Sequence, residues 1–266
     1  MKKSNKKFRL HPRWSLVLKT MPFVIAVILI KLLVHYLNYE ILPLNALFTA
    51  VISANIFLIG FLISGVLVDY KESEKIPGDL AASLETMADE GYIIYKNKNS
   101  KVALDYLIYL SELNKAIVDW FYKNERTENL MKKLSGLNDY FLEFEALTQA
   151  NFIARLKQEQ NNIRKILTRT HTIRETSFLG TGYAIAEIIT FILVLGLIFI
   201  KIDPFYASMF FVSFVSFMLI YMIYFIKDID NPFDYKNKDN FDEVSLKPLL
   251  DTSRRIEACF KYTKIP

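Results

Sequence analysis

Residues 41–68, ILPLNALFTAVISANIFLIGFLISGVLV, contain no charged side chain. At ~1.5 Å of rise per residue, the run exceeds the roughly 20 residues a helix needs to cross the hydrocarbon of a bilayer. A transmembrane helix is expected. On it Ser53, Phe57 and Phe61 fall four apart, and Ser64 and Val68 extend the row, so one helical face mixes hydroxyls with aromatic rings. Such a face suits ordinary packing between helices. It also suits the lining of a narrow pathway, with hydroxyls at the wide parts and rings at a constriction.

Three further apolar blocks reach spanning length. Hydrophobic residues make up 52% of the 266 in the chain, and their grouping into four blocks leaves one polar segment of about a hundred residues and two short tails. The net charge of +5 comes from basic residues that flank the blocks, as the positive-inside rule requires, so nucleic acid is not an expected partner. Cys259 is the single cysteine, which excludes an intrachain disulfide and a multi-thiolate metal site. His11, His35 and His171 lie far apart, which argues against zinc and against Cys-His nucleophilic chemistry.

In chain order, residues 1–15 form a basic tail (Lys2, Lys3, Lys6, Lys7, Arg9, Arg13) with the interfacial aromatic Trp14 at its end, expected to stay in the cytoplasm. Residues 16–68 form a first transmembrane hairpin. Lys31 is expected to snorkel toward the outer interface, Asn55 to bond to a neighbouring helix, and Gly60 and Gly65 to permit close helix approach. Residues 69–177 form a helical cytoplasmic region: Pro77 with Asp79 reads as a helix start, 103–122 and 139–175 as helices, and Ser135-Gly136 as a break. On the last of these helices Arg155, Arg164, Lys165 and Arg169 would concentrate anions if they faced a vestibule. Residues 178–226 form a second hairpin carrying Glu187 in its first span, and 227–266 a cytoplasmic tail.

This plan resembles the bestrophin family. Phe57-Leu58-Ile59-Gly60-Phe61 is similar to the family's F-x-x-G-F neck motif, Glu74-Lys75-Ile76-Pro77 to the turn where the second span enters the cytosol, and Asn231-Pro232-Phe233 to an N-P-F element after the fourth span. The resemblance implies an all-α homopentameric ion channel whose second span lines the pore. The chain also departs from the pattern. Asp69-Tyr70-Lys71 stands where the family has a tryptophan pair, and Ser53 takes the place of a larger aliphatic residue. In calcium-activated members an acidic run follows N-P-F. Here Asp239 and Asp242 are the candidate ligands, but Lys236 and Lys238 interrupt the acids, and calcium needs about 6 to 8 oxygen ligands. No cofactor is expected.

The sequence therefore predicts an integral, multi-pass membrane protein with both termini cytoplasmic. It would be a homo-oligomer in lipid that conducts inorganic ions, chloride-type anions first, through a neck formed by Phe57 and Phe61 with Ser53, Ser64 and Val68 along the same lining. A cation-conducting relative and a non-conducting scaffold or sensor are the alternatives. An enzyme is not expected, because no acid pair, activated nucleophile or phosphate-cradling loop stands at useful spacing.

Overall fold

A computed structural model describes residues 14–176, 180–235 and 243–261. Its elements run α1 (Ser15–Tyr36), β1 (Leu42–Pro43), α2 (Ala46–Lys98), α3 (Lys101–Phe121), α4 (Thr127–Phe144), α5 (Ala150–Glu175), α6 (Gly180–Phe199), β2 (Ile200–Lys201), α7 (Phe205–Ile229) and α8 (Lys247–Lys261). The chain divides into two compact units. Of the described residues, the first holds 14–70 and 180–231, and the second holds 71–176, 232–235 and 243–261.

In the first unit α1 packs along α7 and α6, and α6 packs along α7. The buried face of α2 supplies Ile59, Leu62 and Val66 to a core shared with Ala186, Leu193, Leu219 and Ile226. Among the described residues, four stretches are long and apolar enough to cross a membrane: Ser15–Tyr36, Phe205–Ile229, and segments within Ala46–Lys98 and Ala150–Phe199. At one end of the unit the two short connections meet in a two-residue parallel bridge, Leu42 with Ile200 and Pro43 with Lys201.

Lys31 overturns its expectation. Instead of snorkelling, it is fully buried, with its Nζ 2.6 Å from Glu40 Oε1 and donating to the Ile200 carbonyl at 2.5 Å. The connection after α1 folds back so that Glu40 meets the ammonium, and a paired charge can be buried where an isolated one could not. His35 Nδ1 lies 3.0 Å from the other Glu40 oxygen, and its ring stacks on Phe205 at 3.6 Å.

The second unit packs α3 against α4 and α8, and α4 against α5. Its core joins Leu80, Leu84 and Met87 of α2 to Tyr106, Leu107, Leu110, Trp120, Phe141, Leu156, Ile163 and Leu249. Two expected boundaries move. Pro77 does not start a helix but lies inside α2, because Ile76, Pro77, Leu80, Ala81 and Leu84 continue one buried face and packing outweighs the missing N–H. Ser135-Gly136 does not break the chain either. Gly136 sits within α4 where the Tyr109 hydroxyl comes against its Cα, so the glycine makes room for that ring, and the helix ends at Phe144.

The exposed face of the second span as candidate site

An α-helix advances about 100° per residue, so Ser53, Phe61, Ser64 and Val68 all fall within about 40° of Phe57 around α2. All five are exposed in the protomer, Phe57 to 78%, Phe61 to 59% and Val68 to 67%. The opposite side of the same helix holds Asn55, Ile59, Leu62 and Val66, all buried. The division follows from the sequence. Every residue in 41–68 is uncharged, so hydropathy does not separate the faces, and shape does: the aliphatic side interlocks with α6 and α7 while the side with two phenylalanines is left without neighbours.

Polar groups on this helix are mostly satisfied locally. The Ser53 hydroxyl donates to the Thr49 carbonyl at 3.0 Å, and Thr49 donates to the Asn45 carbonyl at 3.2 Å. Asn55 is buried and donates from Nδ2 to Thr190 Oγ1 at 3.0 Å, which is the interhelical bond expected of it. Gly60 does not serve close approach within the protomer. A Cβ there would meet nothing within 4 Å, whereas one on Gly196 would lie 2.7 Å from Phe48 Cε2. Gly196 is thus a point where helices come close.

The basic residues of α5 do not form one field. Arg155 pairs with Glu90 at 3.0 Å, and Arg169 grips the Glu72 carboxylate through Nε and Nη2 at 2.9 and 2.7 Å. Arg164 donates to Ser135 Oγ at 3.1 Å. Lys165 and Arg169 share an open groove of about 230 Å³ with Glu72, Lys75, Ile76 and Asp79. Arg155 lies fourteen residues earlier on α5, about 21 Å along the axis, and apart from them. No pattern on α5 could have revealed Glu72 and Glu90, because they approach from α2 across the fold. Glu187 forms a 2.8 Å ion pair with Lys227 and not with Lys31. Asp239 and Asp242, the candidate calcium ligands, lie outside the described residues.

The molecule is an all-α protein with four helices suited to crossing a membrane, and its fold is that of the bestrophins. Two crystal structures of variants of a bacterial bestrophin homolog from Klebsiella pneumoniae show the likeness. A tyrosine-to-alanine variant superimposes with a TM-score of 0.78 at 13% identity, over 91% of this chain and 99% of the other. A tryptophan-to-alanine variant gives 0.79 at 13%, over 93% and 98%. A leucine-to-alanine variant described as a membrane protein gives 0.78 at 12%, over 90% and 98%. No protein-family model and no curated protein matches the sequence.

Proposed function

We propose that this chain is the subunit of a homo-oligomeric ion channel, a pentamer by its resemblance to bestrophins, in which copies of α2 surround the pathway. The observation that carries the reading is the split of α2 into a packed face and an exposed face bearing Phe57 and Phe61. A single helix cannot enclose a pore, so several copies must each contribute that face. Phe57 and Phe61 then form stacked hydrophobic rings that gate by dewetting, with Ser53 on one side of the constriction and Ser64 and Val68 on the other. The remaining helices face membrane lipid or neighbouring copies, and both termini lie in the cytoplasm.

Chloride-type anions are the proposed ions. Support comes from the basic excess of the chain and from ring edges, whose partial positive charge tolerates anions. A cation-conducting channel is the second reading, and a specific observation favours it: two of the four residues proposed for an anion vestibule, Arg155 and Arg169, are already neutralised by Glu90 and Glu72. Under that reading the ring faces stabilise a passing cation.

The test is current through purified protein in a planar bilayer under a salt gradient. Wild type is expected to conduct with a reversal potential near that of the anion, and Phe57→Ala with Phe61→Ala is expected to raise conductance severalfold. Silence from a well-formed oligomer in both forms would turn the reading toward a non-conducting scaffold.

A further inference from the structure

Past α7 the chain runs through Asn231, Pro232 and Phe233 into a strap whose described residues, Phe233, Tyr235, Val244 and Leu246 among them, pack within the second unit. Phe233 is fully buried with its ring 5.2 Å from Phe121, and Tyr235 lies 5.2 Å from Tyr122. The strap closes on itself. The Val244 amide donates to the Pro232 carbonyl at 3.0 Å, and the Tyr235 hydroxyl donates to the Val244 carbonyl at 2.6 Å.

It rests on the C-terminal end of α3, which is terminated in an unusual way. The Asn124 amide donates to the Asp119 carbonyl at 2.8 Å and the Lys123 amide to the Trp120 carbonyl at 3.0 Å, the paired bonds of a Schellman motif. The residue after the cap is Lys123 at φ 58°, in the left-handed region where glycine is the default and a side chain is disfavoured. The lysine side chain crosses to the strap and meets Asp234, Nζ to Oδ1 at 2.8 Å. From α5, Arg174 lies 4.7 Å over the Trp120 ring and donates to its carbonyl at 3.2 Å. Among the described residues, the charged groups around the strap include Lys123 and Arg174 with Asp234, Glu175 and Glu243.

The bestrophin resemblance places a calcium clasp after the N-P-F element, and the described residues do not fit one. Asp234, the acid next to Phe233, already has the Lys123 ammonium against it, and no group of three or more His, Cys, Asp or Glu is placed to hold a metal ion among the described residues. We propose that Lys123 is a tethered cation that latches the strap onto the end of α3 through Asp234, so that docking of the segment following the fourth span is set by the protein's own charge and not by a divalent cation. This explains why a lysine stands where a glycine would relieve the backbone.

Hydrogen exchange at the Val244 amide, measured on the full chain in detergent, reads the latch directly. Lys123→Gly and Asp234→Asn are each expected to speed exchange about two- to fivefold, the range of a partly exposed ion pair, and the double variant no further than the faster single. Neither EDTA nor millimolar calcium should change wild-type exchange. Thermal unfolding separates the latch from a merely structural role, because Lys123→Gly relieves the left-handed side chain and should hold or raise the midpoint while exchange accelerates. Unchanged exchange in both single variants, additive effects in the double variant, or protection of wild type that appears only with calcium would overturn the proposal.

Discussion

Lys31 and Glu40 show how one residue's partner decides its cost. Burial alone would push the Glu40 carboxyl up, but the hydrogen bonds and charges of Lys31 and His35 hold it net below the ordinary carboxylate value. A depressed carboxyl stabilises the folded state fully above its unfolded pKa, near 4.5, and that contribution is lost as pH falls through the lower folded value. Acid should therefore release the bridged connections between spans. At neutral pH, Glu40→Gln should destabilise the protein by about 3 to 5 kcal/mol, because it leaves Lys31 buried without a counter-charge. Lys31→Met with Glu40→Gln should recover most of that loss. Thermal melts of wild type and both variants in detergent check this, and equal melting of the single and double variants would show that the ion pair does not control the site.

On the scale of an element, two of the four glycines on α2, Gly60 and Gly91, have opposite environments. A Cβ at Gly91 would lie 2.6 Å from Cε1 of Tyr106, a ring fully buried in the second unit, so Gly91→Ala should cost about 1 to 3 kcal/mol. A Cβ at Gly60 meets nothing, so within the protomer Gly60→Ala should be neutral or gain up to about 1 kcal/mol from helix propensity. Chemical unfolding of both variants should separate them by about 1 to 4 kcal/mol. The same helix marks the limit of what sequence could tell. The uncharged run made its spanning part legible, and spacing put Ser53, Phe57, Phe61, Ser64 and Val68 on one face. Pro77 misled, because a proline's missing N–H is a local signal while the buried row from Ile76 to Leu84 is a tertiary one. Gly136 misled in the same way, since the ring that needs its space comes from Tyr109 on another helix. The partners of Arg155 and Arg169 were hidden for a related reason, since ion pairs across a fold leave no periodic trace, and Glu40 meets Lys31 only because the connection after α1 folds back.

For the whole molecule, the sign of ion that the proposed channel would favour depends on local charge, and net charge alone does not decide it. The surplus of +5 is spread over the chain, while the field at a mouth depends on which cations are already paired. Glu72 neutralises Arg169 beside the groove that also holds Lys75 and Lys165. Burial and the Arg169 contact oppose each other at Glu72, and the guanidinium hydrogen bond is the larger effect, which holds this carboxyl below its ordinary value and charged at neutral pH. In the proposed oligomer Glu72→Gln removes that negative charge from each copy and leaves Asp79 to face Arg169 and both lysines in the groove. If α5 borders the pathway, the anion-to-cation permeability ratio should rise by about twofold or more at low ionic strength. The increase should shrink as salt approaches 1 M, where the Debye length falls to about 3 Å. Reversal potentials of wild type and Glu72→Gln at two salt concentrations measure this. An unchanged ratio at low salt would place the α5 face away from the pathway and leave selectivity to the rings and hydroxyls of α2.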